Sequence, residues 1–178
     1  MTCVVAVTDG LKVTMGSDSA AANDDVISQR VCPKVFVRGE FGIGYCYSFR
    51  LGQIIEYFFE PPKIDKDVDL MRYMVTKFVP ALRVALEEND YPYHEDEKDR
   101  WMVLVGIRGK IFCIESDFQV GLDAEEVAAI GAGAELALGA MFVSLELDYE
   151  LLEIAELGLT AAAKFSPFVI EPFLYIEV

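Results

Sequence analysis

Val4 to Val7 and Leu11 to Met15 are two β-prone runs joined through Asp9-Gly10, and Asp-Gly between such runs is one of the strongest short hairpin signals, since both turn positions tolerate positive φ. The chain therefore begins with a hairpin. A second pair, Lys34 to Arg38 and Phe41 to Tyr45, flanks Gly39-Glu40, and a third, Trp101 to Ile107 and Lys110 to Glu115, flanks Arg108-Gly109. Val169 to Val178 reads as a last strand, with Pro172 demoting part of it to an edge or bulge.

Helices fill the intervals. Leu51, Ile54, Ile55, Phe58 and Phe59 recur on one helical face, with Ser48 as cap and Pro61-Pro62 as stop. Met71, Met74, Val75, Phe78, Leu82 and Ala85 mark a second helix from Asp67 to Glu88, bent at Pro80. Two more span Ala134 to Leu147 and Glu150 to Lys164, the latter weakened by Gly158. Strands grouped with strands and helices in pairs predict an α+β sandwich, two antiparallel sheets covered by helices, rather than alternating βαβ units. The 178 residues suit one domain, 1–178, with neither linker nor internal repeat, long enough to bury roughly 70% of the unfolded surface.

Composition narrows the function. A net charge of −15 opposes binding to nucleic acid or to an anionic membrane. With 53% hydrophobic residues the chain is too apolar for disorder, yet no apolar run reaches the roughly 18 residues of a membrane span. The start, MTCVVAVTDG, has no basic segment or small-residue cleavage site, so the expected location is the cytoplasm. Cys3, Cys32, Cys46 and Cys113 are expected as free thiols. The single histidine, His94 in YPYHEDEKDR, reads as part of a solvated loop, which leaves little for a multi-histidine metal site or a histidine-based triad.

Two motifs lose to plainer readings, so no cofactor and no metal is expected. GAGAEL, Gly131 to Leu136, puts Leu136 where a dinucleotide loop needs its third glycine and lacks the βαβ context. Asp65, Asp67 and Asp69 alternate like a calcium loop, but Leu70 and Thr76 stand where that loop needs glycine and glutamate. Acids favoured near a helix N-terminus explain them better.

The informative stretch is the first 34 residues. Removal of Met1, which a small second residue permits, would give Thr2 both a hydroxyl nucleophile and a free α-amine. Such an amine has an ordinary pKa near 8, close enough to neutrality to act as general base without a histidine. Asp18, in MGSDSA, and Lys34 are the two charged residues such a site requires. A lysine beside the hydroxyl lowers its pKa, and an aspartate beside the lysine holds it charged and oriented.

Thr2, Asp18 and Lys34 stand at equal intervals of sixteen residues. TCVVAVTDGLKVTMGSDS followed by CPKVFV resembles the N-terminal segment of proteasome β subunits and the bacterial HslV peptidase, where a threonine, an aspartate and a lysine keep this spacing. IGAGAELALGAM, Ile130 to Met141, is similar to that family's I-G-S-G-x-x-x-A segment. The resemblance implies the N-terminal-nucleophile hydrolase fold, a four-layer αββα sandwich. It also implies peptide-bond hydrolysis through an acyl-enzyme on Thr2, with its α-amine as base, Lys34 as electrostatic activator and Asp18 as orienter.

The family's G-x-x-G corresponds to Gly44-Tyr45-Cys46-Tyr47, which makes the Tyr47 amide the oxyanion donor and places a phenol beside the substrate groove. Ala132 stands where the family has a serine supporting the amine, and Ser166 is the candidate match for its late serine. Implied partners are a peptide or unfolded protein substrate, further copies in a homo-oligomeric ring, and an ATPase unfoldase. Two alternatives share the fold: a catalytically silent assembly or binding subunit, in which retained Met1 blocks the amine, and an amidase acting on small amides.

Overall fold

The structure is a computed structural model that describes residues 2–23, 26–91 and 101–178. Six strands come first: β1 Cys3–Thr8, β2 Val13–Ser17, β3 Ala20–Asn23, β4 Val26–Gln29, β5 Val35–Arg38 and β6 Phe41–Cys46. Helix α1 Phe49–Tyr57 follows, then α2 Leu70–Tyr73, a π-helical turn Met74–Phe78 and α3 Val79–Glu88. Strands β7 Met102–Ile107, β8 Lys110–Glu115, β9 Val120–Leu122 and β10 Val127–Gly131 lead to α4 Ala134–Glu146, α5 Leu151–Phe165 and β11 Leu174–Glu177. Every strand pairing is antiparallel, in sheets ordered β10-β1-β2-β11 and β5-β6-β7-β8-β9, with β3-β4 as a separate hairpin. The α+β class expected from the pattern is the class observed.

Strand β1 is buried along its whole length, because successive side chains point to opposite faces and both faces are covered. Cys3, Val5 and Val7 join Ala137, Met141, Ile154 and Leu159 of α4 and α5 in one core. Val4 and Ala6 join Met15, Leu104 and Ile111 in a second, shared by the two sheets. A third core sets Ile43, Val103 and Phe112 of the five-stranded sheet against Leu51, Ile54, Phe78 and Leu82 of the first helical group. Burying each such side chain contributes about 1.5–3 kcal/mol.

Local chemistry accounts for the boundaries. Ser48 caps α1, its Oγ accepting the Leu51 N–H at 3.2 Å, and Asp69 caps α2 through the Arg72 N–H at 3.1 Å, the helix-start role expected of that acid. The bend expected at Pro80 is a π-helical turn just before it: the Val79 N–H reaches back five residues to the Met74 carbonyl, and Pro80 has no N–H to restore the α register. Glu150 and Glu153 form a reciprocal capping box on α5.

Three expectations need correction. The two hairpins expected before the first helix supply four strands, whereas six are present; the extra hairpin β3–β4 has no sequence signature, because Ala20–Asn23 lacks β-branched residues and alternation. The last strand is four residues long, Leu174–Glu177, rather than all of Val169 to Val178; Pro172, which has no N–H, precedes it. Gly158 does not weaken α5 where it matters: a Cβ there would lie 2.6 Å from Met141 Cγ and 2.8 Å from its Sδ, so glycine is what lets α4 and α5 approach. Gly158→Ala is therefore expected to lower stability by about 1–3 kcal/mol despite alanine's better helix propensity, measurable as a shift of the urea midpoint.

Candidate active site

The Asp18 turn follows β2 of one sheet, and Lys34 immediately precedes β5 of the other, so each sheet delivers one of two opposite charges to the same place. Their side chains are fully buried and their charges meet at 2.7 Å, Lys34 Nζ to Asp18 Oδ1. Burying an ion pair is tolerable only when its remaining valences are filled. Asp18 meets that condition, since Oδ1 also accepts the Cys3 N–H at 2.9 Å and Oδ2 the Ala20 N–H at 2.9 Å. The Asp18 N–H in turn donates to the Cys3 carbonyl at 3.2 Å.

The Cys3 N–H belongs to the peptide that links Thr2 to Cys3. One carboxylate oxygen thus ties the backbone of Thr2 to the ammonium of Lys34. Thr2 itself is buried, 4% exposed, and enters β1 between two partners: Val4 pairs with Ser17 on one side and Cys3 with Gly131 on the other. Continuing that register by one residue would put Ala132, a methyl side chain, beside Thr2. Gly131 has φ 94°, and a Cβ on it would stand 2.1 Å from the Thr2 carbonyl oxygen and 3.5 Å from Cys46 Cβ.

Burial is the main influence on Lys34 and pulls its pKa down, with the Asp18 charge and hydrogen bond opposing it. The ammonium is accordingly held by its partner in a setting that disfavours charge. Burial also pushes the Cys3 and Cys46 thiols up to about 12, which keeps them protonated and poor nucleophiles at neutral pH. All four cysteines are free, and Cys32 is exposed.

Tyr47 follows β6 with φ 73°, while the Ser48 N–H donates to the Cys46 carbonyl at 3.0 Å. That is a γ-turn with a left-handed centre, a rare and strained conformation for any residue but glycine. No hydrogen bond engages the Tyr47 amide among the described residues, and the side chain is 53% exposed. Tyr47→Gly is expected to raise stability by about 1 kcal/mol through relief of this strain, observed as a higher melting temperature.

The sequence-derived set is therefore only partly gathered by shown contacts. Thr2, Asp18 and Lys34 are joined through the Asp18 carboxylate, and Tyr47 adjoins them through Cys46 and Gly131. Ser166 closes α5 and its Oγ accepts the Phe168 N–H at 3.3 Å, a local turn role. Met1 and His94 lie outside the described residues. Ser19 was missed: its N–H and Oγ both donate to the Ile170 carbonyl, at 3.1 and 3.3 Å, tying the Asp18 turn to the chain's last segment. No periodicity or motif marks such a tertiary tie in the sequence. A cavity of about 210 Å³ borders the pair, with Asp18, Ser19, Arg30, Cys32, Lys34 and Phe173 among its lining.

Among the described residues no cluster of three or more His, Cys, Asp or Glu could hold a metal ion, and no helix is long and apolar enough to cross a membrane. No protein-family model matches the chain, and no curated protein sequence does. Solved structures do match. Thiobacillus denitrificans BPH in complex with epoxomicin superposes with a TM-score of 0.81 at 22% identity, over 99% of this chain and 98% of that one. HslV from Trypanosoma brucei gives 0.70 at 17% identity, over 99% and 98%. Anbu, the ancestral beta-subunit, from Yersinia bercovieri gives 0.72 at 14% identity, over 100% and 81%. At these identities the likeness is one of architecture: the chain has the fold of the proteasome-like subunits HslV and Anbu.

Proposed function

We propose that this chain is a single-domain threonine peptidase of the proteasome-β and HslV kind, residues 1–178, built as a four-layer αββα sandwich. The three cores, one between the sheets and one on each outer face, support that layer order. The observation that carries the function is Asp18 Oδ1, which bonds both the Thr2–Cys3 peptide and the Lys34 ammonium within a fully buried pair.

Once Met1 is removed, the Thr2 α-amine takes the proton of the Thr2 hydroxyl as its oxygen attacks the scissile carbonyl. Lys34 lowers the cost of the alkoxide, and the Tyr47 amide receives the negative charge of the tetrahedral intermediate. The protonated α-amine then gives its proton to the departing amine, leaving an acyl ester on Thr2. Water, activated by the same amine, attacks the ester, and Thr2 regains its proton as the acid product leaves. Asp18 keeps Lys34 charged and aimed throughout.

The same reading assigns a peptide or unfolded protein as substrate, the cytoplasm as location, an ATPase unfoldase as partner, and a homo-oligomer, as a ring. The Anbu complex of Pseudomonas aeruginosa forms a helical assembly, and the similar architecture supports self-association here. Closed rings suit a peptidase that must hide a weakly selective site. Light scattering is expected to report an oligomer; a monomer at working concentration contradicts the assembly.

A second reading, a silent subunit, is favoured by two observations: Tyr47 occupies a left-handed turn position that suits glycine, and Ala132 offers no hydroxyl next to Gly131. Intact mass and peptide turnover decide between them. Protein lacking Met1 is expected to cleave fluorogenic peptides and to gain the mass of epoxomicin, the compound bound by BPH, on its N-terminal peptide. Assembled protein lacking Met1 that does neither is the silent subunit.

A further inference from the structure

Cys46 ends β6 opposite Met102 of β7, and Met102 pairs in turn with Glu115 at the end of β8. The three strands stop level with one another. Beyond their ends lies a cavity of about 470 Å³ lined by Tyr47, Trp101, Met102, Glu115, Ser116 and Asp117. It adjoins the candidate site, because Cys46, the residue before Tyr47, sits against Gly131, and Gly131 against the Thr2 carbonyl.

Its walls are of two kinds. Tyr47 leaves the strand through the strained γ-turn and keeps its ring half exposed, while Trp101 is almost buried and held edge-on by Phe118, ring centroids 5.4 Å apart. Glu115 and Asp117 supply two negative charges, and among the described residues the lining contains no cation. Asp117 uses one oxygen on the Gln119 N–H at 2.9 Å, which steadies the loop tip. Neither carboxylate is in an ion pair among the described residues. Arg83, which stacks over Phe118, is engaged by Glu87 at 3.1 Å.

We propose that this cavity is the subsite for a cationic side chain, lysine or arginine, of the peptide that reaches Thr2; the proposal rests on the peptidase reading above. Aromatic faces attract a cation through their quadrupole, and a guanidinium or ammonium satisfies carboxylates that a neutral side chain leaves to water. A net charge of −15 adds a long-range field of the same sign preference. An acidic side chain meets repulsion from both sources. Tyr47, strained where glycine would rest, is then a specificity residue as well as an amide donor.

Trp101 is the chain's single tryptophan, so its fluorescence reads occupancy of the cavity without any need for catalysis. The assembled protein is titrated with two acetylated pentapeptide amides that differ only in one central residue, arginine or glutamate. The arginine peptide is expected to change Trp101 emission saturably and to bind roughly tenfold tighter, as a part-exposed ion pair plus a cation–π contact allows. The preference is expected to shrink with added salt and to vanish in Glu115→Gln/Asp117→Asn, which keeps the Asp117 turn acceptor. Equal binding of the two peptides, or a preference that survives the double substitution, overturns the subsite. An arginine preference in protein that hydrolyses nothing supports the subsite and removes the peptidase reading instead.

Discussion

Thr2→Ala and Lys34→Ala are each expected to lower kcat for a fluorogenic peptide by at least about 10²-fold, because each removes one member of a unit whose effects do not add. The double variant should then be scarcely worse than either single one. Lys34→Ala carries a second effect that Thr2→Ala does not. It leaves the Asp18 carboxylate buried with two backbone donors and no counter-charge, which costs about 3 kcal/mol at the lower end for a broken buried pair. In a domain of this size that is a loss of about 6–12 °C in Tm. Thr2→Ala changes no charge and should melt within a few degrees of the wild type. Activity retained in Thr2→Ala ends the threonine mechanism; a Lys34→Ala protein as stable as wild type contradicts the charged buried pair.

The candidate site was legible because its members carry chemistry at a recognisable interval, while the bonds that join them were not. Equal spacing placed Thr2, Asp18 and Lys34 in one argument, yet nothing in the sequence says that Asp18 spends one oxygen on the Cys3 amide and the other on Ala20. Those bonds depend on β1 lying beside β2 with Val4 opposite Ser17, a register that the Asp9-Gly10 turn helps to set. Strands marked by β-branched residues and glycine turns were legible for the same reason. β3, written in alanine, was hidden, and so was the true extent of the last strand. Tyr47 is the instructive case: the sequence located it by alignment with a glycine, whereas its left-handed φ and the cavity its ring lines belong to the folded chain alone.

Burial limits the substitutions that the candidate site is expected to accept. Thr2, Asp18 and Lys34 are all less than 5% exposed, so each polar atom must find its partner in the protein rather than in water. The turn after β10 is part of that enclosure. Its glycine supplies a close approach to the strand that carries Thr2, and the neighbouring Ala132 contributes no donor there. Restoring a hydroxyl with Ala132→Ser is accordingly expected to leave turnover level or raise it, whereas enlarging Gly131 is expected to damage both the fold and the site.

Gly131→Ala combines two separate penalties. With φ 94° the residue occupies a region that side chains rarely adopt, and its new Cβ would stand 2.1 Å from the Thr2 carbonyl oxygen. Backbone strain alone costs about 1–3 kcal/mol. The clash adds to it, because the atom met is backbone and cannot swing aside as a side-chain end would. β1 is held on its other side by β2 and above and below by two apolar cores, so the least costly relief is a shift of the β10–α4 turn away from Thr2. That shift would also disturb Cys46, which lies against the same turn and is followed by Tyr47. We therefore expect a stability loss of at least about 3 kcal/mol by urea unfolding, together with a fall in kcat exceeding what the unfolded fraction explains. Since a displacement of about 1 Å at a catalytic centre costs on the order of 10²-fold in rate, activity should be low even in buffers where the variant is fully folded. A Gly131→Ala protein with wild-type stability and turnover would mean that the turn does not press on Thr2, and that the enclosure of the candidate site is looser than its geometry implies.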